Sequence, residues 1–305
     1  MTGNLGKNGK TGITRNTVPQ ASSVDVAPTR SAPPAAPFAG LTVRGLVKHF
    51  GGVQAVKGVD FEVATGECVA LIGPNGAGKS TCFACIAGQH ALTHGEVVWN
   101  GRRVDTWGAP QRLHVGIART FQVAQTFEAL TVRQNLQLAL EARRPLSAWR
   151  TLNNLQRATA QVLLEQVGLA TAAELDVLGL PYGAKKRLEL ALALAGIEGI
   201  AGDKSKGAVQ KLLLLDEPAA GLAGPERAQL MQQVRQLAAS GISVLYTEHN
   251  MDAVFGVADR VLVLIDGLLV ANGTPDDVAR NPVVRSRYLG ASFAATNSHV
   301  GAAHA

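Results

Sequence analysis

The sequence predicts an α/β fold built on a parallel sheet, and two stretches carry that prediction. In the first, an apolar run at residues 68–72 ends directly at Gly73-Pro74-Asn75-Gly76-Ala77-Gly78-Lys79-Ser80-Thr81, and small and apolar residues then recur at helical spacing through residue 88. Strand, glycine-rich loop and helix follow in the order that a phosphate site requires. In the second, residues 212–215 read as a fully buried strand, 228–239 as a helix and 242–246 as the next buried strand. That alternation of strand and helix is the mark of a parallel sheet.

The remaining elements can be justified in chain order. Residues 1–38 are rich in Gly, Asn, Thr, Ser, Ala and Pro and almost devoid of large apolar side chains, so they cannot offset their ordering entropy. A disordered extension is expected there, a folded domain over 39–290 and a flexible tail over 291–305. Short apolar runs at 41–50 and 53–63, separated by Gly, read as strands. Between 130 and 180 the character is helical, with Leu152, Leu155, Val162, Leu163 and Val167 near one face. Residues 198–211, carrying three glycines among Asp, Lys and Ser, read as a solvated loop. Residues 261–265 and 268–271 read as a hairpin turning at Asp266-Gly267.

Composition narrows the function classes. A chain of 305 residues, 47% hydrophobic and 17% charged, can bury one large core. Its apolar runs fall far short of the ~20 residues that cross a bilayer, and its start lacks a secretory signal, so residence on the cytoplasmic side is expected. The net charge is +6, and Lys7, Lys10, Arg15 and Arg30 against Asp25 supply half of it within the first forty residues. No basic stripe with interleaved aromatics follows, which argues against nucleic acid as a partner. Weak attraction to an anionic membrane surface stays open. Three cysteines cannot build a disulfide framework, and Cys82 and Cys85, just inside the expected helix, read as packing residues rather than a redox or metal pair.

The chemistry concentrates at two places. Glycines at 73, 76 and 78 let backbone N–H groups turn inward around an anion; Lys79 then reaches the β- and γ-phosphates and Ser80 offers a hydroxyl to Mg²⁺ at a helix N-terminus. Four leucines ending in Asp216 and Glu217 make poor structural sense, because buried uncompensated charge is costly. Beside a phosphate loop they make chemical sense: Asp216 can hold Mg²⁺ through a water while Glu217 polarises the attacking water.

With these residues in hand, the chain resembles the ATP-binding cassette ATPases, and more narrowly the ATPase subunit of bacterial branched-chain amino acid transporters. The resemblance covers about residues 41–290 and rests on Phe50-Gly51-Gly52, Arg119-Thr120-Phe121-Gln122, residues 180–187, residues 216–222, Glu248-His249, Asn272-Gly273-Thr274-Pro275 and Tyr288-Leu289-Gly290. It implies a P-loop NTPase with a RecA-like parallel sheet core, an antiparallel β subdomain and a helical subdomain at about 123–190. It also implies that Phe50 stacks on adenine, that Gln122 touches Mg²⁺ where a membrane subunit docks, and that His249 contacts the γ-phosphate. ATP and Mg²⁺ are the implied cofactors. The implied partners are a second ATPase subunit, two transmembrane permease subunits and an extracytoplasmic substrate-binding protein, with the chain peripheral on the cytoplasmic face of the inner membrane.

The family's signature loop, usually Leu-Ser-Gly-Gly-Gln, closes over the ATP of the opposite subunit; here it is Leu180-Pro181-Tyr182-Gly183-Ala184. Proline lacks the serine hydroxyl and alanine the amide, which leaves a helix N-terminus to meet the anion. Ala223 stands where Asn or Asp is common, and Leu192 where Arg is expected. These departures predict a slower composite site in a heterodimer, with restored Ser at 181 and Gln at 184 raising turnover. Urea, amide and aromatic-acid importers are alternative settings by the same resemblance. A soluble cassette ATPase of translation or DNA repair would carry tandem cassettes or coiled-coil inserts, and a GTPase an Asn-Lys-Xaa-Asp motif, none of which occurs. Intact Lys79, Glu217 and His249 argue against an inactive regulatory subunit.

Overall fold

Two sheets organise the chain, seen in a computed structural model that describes residues 38–120, 126–142, 155–198 and 210–290. Residues 1–37 of the extension expected at 1–38, the tail at 291–305, most of the loop at 198–211, Leu152 and Gln122 lie outside those residues. In chain order the elements begin with β1 (Gly40–Phe50), β2 (Val53–Ala64), β3 (Cys68–Ile72), α1 (Lys79–Ile86), β4 (His94–Trp99), β5 (Arg102–Arg103), α2 (Ala109–His114) and β6 (Ile117–Arg119). They continue with α3 (Val132–Glu141), α4 (Arg157–Gln166), α5 (Tyr182–Ile197), β7 (Leu212–Asp216), α6 (Gly224–Ala239), β8 (Ser243–Thr247), α7 (Met251–Phe255), β9 (Arg260–Ile265), β10 (Leu268–Gly273) and α8 (Pro275–Arg280).

The first sheet is antiparallel, in the order β2-β1-β4-β5, and has one wet face. On β2, Val59, Phe61 and Val63 are buried while Asp60 and Glu62 between them are exposed, the alternation of a half-buried strand. The second sheet runs β10-β9-β3-β8-β7-β6. Its β6, β7, β8, β3 and β9 are parallel, and β10 closes the edge antiparallel through a hairpin. Asp266 (φ 50°) and Gly267 (φ 80°) are both left-handed at that turn, the backbone that an Asp-Gly pair favours.

β3 and β7 are buried at every position, because the parallel sheet is covered on both faces. Cys68, Ala70 and Ile72 join the core beneath the helical layer of α3 to α6, while Val69 and Leu71 join the core shared with α1 and the antiparallel sheet. Register then decides where chemistry can occur. Thr247, the last residue of β8, lies opposite both Leu71 of β3 and Asp216 of β7, so the loop after β3 and the carboxylates after β7 emerge side by side at the carboxyl edge of the sheet.

Some expectations need correction. Val162 is 52% exposed, and the buried face of α4 is Ala160, Leu163 and Leu164, with Val167 just beyond the helix. The helix expected at 228–239 starts earlier, at Gly224, with Pro225 in its first turn. Cys82 and Cys85 are free and buried in the α1 core, and burial raises both thiols, Cys85 to about 11, as packing residues require. No helix among the described residues is long and apolar enough to cross a membrane.

Candidate active site

The glycine-rich loop is shaped by its surroundings as much as by its ligand. Gly73, Gly76 and Gly78 all have positive φ (149°, 78° and 101°). A Cβ at Gly73 would sit 1.9 Å from the Leu264 carbonyl oxygen, and one at Gly78 would sit 2.4 Å from that of Ala55. These two glycines therefore let β9 and β2 pass close behind the loop, whereas Gly76 meets nothing and supplies conformation alone. Gly78 caps α1 without a side chain and no acid occupies the first turn, which leaves the amide end open to an anion.

Lys79 is buried, and its Nζ donates to the carbonyls of Gly73 (2.7 Å) and Pro74 (3.0 Å), so the ammonium closes the loop on itself. Burial lowers its pKa, and the charges of Glu217 and Asp216 pull in the opposite direction. Ser80, Asn75 and Gly76 are exposed beside it, whereas the Ala77 methyl is buried. Tyr288 reaches the loop from the far end of the chain: burial raises its phenol, while a hydrogen bond with the Gly73 backbone lowers it.

The strand end after β7 is a connected set of hydrogen bonds. The Thr247 hydroxyl donates to Asp216 Oδ1 (2.8 Å) and its oxygen accepts the Glu217 N–H (3.0 Å). Asp216 Oδ2 takes an Arg119 N–H at 2.7 Å, in a pair whose side chains are 13% and 1% exposed. Glu217 holds φ 49°, a left-handed conformation costing about 1–3 kcal/mol for a residue with a Cβ. Its Oε1 lies 2.9 Å from His249 Nε2, with both side chains partly exposed. Glu248, buried, accepts the Ala219 N–H at 2.8 Å and pins the following loop; burial raises its pKa.

The other expected residues are spread around this centre. Phe50 is 44% exposed, so it is not a core residue; the His90 ring meets it edge-on at 5.3 Å and the Lys48 ammonium lies 4.8 Å from its centroid. Pro181 caps α5 without a side-chain hydrogen bond, and Tyr182 is exposed with its hydroxyl donating to the Ala220 carbonyl at 3.3 Å. Gly183 faces Glu226, whose carboxylate would lie 2.9 Å from a Cβ there. Ala184 is 6% exposed and turned into the core, so a glutamine there would bury its amide rather than offer it to a nucleotide. That burial argues against a gain from Gln at 184.

The donor set fits magnesium. Ser80 and Asp216 offer hard oxygens, and no cluster of three or more His, Cys, Asp or Glu able to hold a metal occurs among the described residues. One carboxylate and a hydroxyl completed by phosphate and water is how Mg²⁺ is usually held. Sequence reasoning missed Arg119 as a partner of Asp216, Thr247 as the hinge of the network and His90 beside Phe50. These lie 97, 31 and 40 positions from their partners, beyond any local pattern.

Residues 56–220 match the family model described as ABC transporter, over more than half of the chain. The chain belongs to the ABC transporter family. It is 35% identical over 260 residues to the high-affinity branched-chain amino acid transport ATP-binding protein LivG of Salmonella typhimurium, covering 82% of this chain and 97% of that one. Similarity to BraF of Pseudomonas aeruginosa, which carries the same description, is 33% over 260 residues with the same coverage. Among solved structures, it matches an ATP-binding cassette of an ABC transporter in its ADP conformation with a TM-score of 0.72 and 28% identity, covering 83% of this chain and 99% of that one. A nucleotide-free cassette matches with a TM-score of 0.71, 27% identity and coverage of 83% and 100%. The chain is thus an ABC transporter ATPase, with the P-loop α/β fold that the sequence predicted.

Proposed function

We propose that this ATPase powers the import of branched-chain amino acids. It would work on the cytoplasmic face of the inner membrane with a second ATPase subunit, two permease subunits and an extracytoplasmic binding protein. The observation that carries the enzymatic part is the contact of Glu217 with His249 beside the phosphate loop. The cargo rests on the similarity to LivG and BraF. An apolar groove of about 550 Å³ supports the permease as partner; Leu113, Ile117, Ala139, Leu192, Ala193 and Thr120 are among the residues that line it. Leu192, in place of the expected Arg, contributes to its apolar character.

In this reading Lys79 gives up its own loop carbonyls to hold the β- and γ-phosphates, with the amides of the 73–81 loop around them. Phe50 stacks on adenine. Ser80, Gln122 and Asp216 would hold magnesium, which when bound offsets phosphate charge during transfer. Glu217 orients and polarises the attacking water, and His249 steadies that carboxylate while facing the γ-phosphate. Pro181, Tyr182 and Gly183 present the start of α5 to the partner's nucleotide, and closure of two subunits followed by hydrolysis drives the permeases.

Co-purification with the permeases and reconstitution into liposomes with the binding protein tests the cargo. ATP turnover should rise with leucine, isoleucine or valine. Stimulation by urea, amides or aromatic acids alone would reassign it.

A further inference from the structure

Arg119 stands outside the roles assigned so far, yet it makes the closest charged contact in the site. It ends β6, and its Nη2 donates to Asp216 Oδ2 at 2.7 Å in a nearly dry environment. Its Nη1 donates to Gln89 Oε1, just past α1, and the guanidinium lies 6.0 Å from the ring centroid of Phe83 on that helix. Asp216 Oδ1 is taken by Thr247, so each carboxylate oxygen already has a donor. A carboxylate this buried requires a compensating charge, and Arg119 supplies it.

A divalent cation drawn to Asp216 meets that charge. Two positive groups beside one carboxylate repel, strongly so in a site of low effective dielectric. We propose that Arg119 is the resident counter-ion of Asp216, a positioning residue that holds the carboxylate ready and sets the magnesium concentration at which nucleotide binding tightens. It rests on the reading of Asp216 as a magnesium-holding carboxylate. Loading then weakens the Arg119–Asp216 pair while Gln89 keeps the guanidinium nearby.

The test is the Mg²⁺ dependence of equilibrium binding of fluorescently labelled ADP to the full-length chain, a readout independent of hydrolysis. In excess EDTA, Arg119→Gln should bind the nucleotide like the unaltered protein. Its Mg²⁺ midpoint should fall about ten-fold, because one repelling charge is gone. Arg119→Lys, which restores the charge, should return the midpoint to its original value. Gln89→Ala, which removes only the Nη1 anchor, should move it the same way by less, and serves if Arg119→Gln does not fold. Asp216→Asn separates the two ideas. If it abolishes the Mg²⁺ response while the Arg119 and Gln89 variants leave the midpoint unchanged or raise it, the counter-ion role is wrong and the magnesium reading stands. If Asp216→Asn keeps the full response, both fall.

Discussion

At the end of β7, Asp216 has both carboxylate oxygens in hydrogen bonds, Glu217 is held by Thr247 and His249, and Glu248 anchors the next turn. At the start of α5, by contrast, Pro181 caps the helix with no side-chain bond and Tyr182 projects into solvent, with its hydroxyl reaching back to Ala220 of the loop after Glu217. The first region is preorganised by its own chain, so its geometry is set before any ligand arrives. The second offers mainly a helix end.

That contrast can be broken by mutation. Lys79→Ala should have the largest effect, at least about 100-fold weaker ATP binding and hydrolysis, because no other described cation donates into the loop. Binding by fluorescence and phosphate release would measure it. At the signature, the two restorations expected from sequence should part company. Ala184→Gln should lower stability by about 1–3 kcal/mol in urea unfolding, since the site is 6% exposed and the amide would enter the core. Pro181→Ser lies at an exposed cap and should raise turnover of the reconstituted transporter by a few-fold; an unchanged rate would remove Pro181 as the cause of a slower site. Ala223 is the N-cap of α6 and makes no side-chain cap, so Ala223→Asp should add about 1 kcal/mol of stability in urea unfolding.

Legibility followed range. The loop at 73–81, the all-buried Leu212–Asp216 strand and the Asp266-Gly267 hairpin were readable because each is decided by a few consecutive residues. The strands β4 to β6 were not, because Arg102–Arg103 and Ile117–Arg119 are too short to show a period and owe their structure to distant partners. Direction was the other gap: helical spacing put Val162 on the buried face together with Leu163, but only packing reveals that Val162 turns outward and Leu164 inward. The burial of Ala184 was hidden for the same reason. Arg119 was legible only as part of a motif; its contact with Asp216 arises from parallel pairing of β6 with β7, which aligns Arg119 with Leu214.

The central claim is that Glu217, held in a left-handed backbone and met by His249, activates the attacking water. Glu217→Gln keeps the shape and removes the charge. Measured together on the purified chain, ATP binding should stay within about two-fold of the unaltered protein while steady-state hydrolysis falls at least about 100-fold. Hydrolysis at an undiminished rate with binding intact would contradict the account and place the activating group elsewhere.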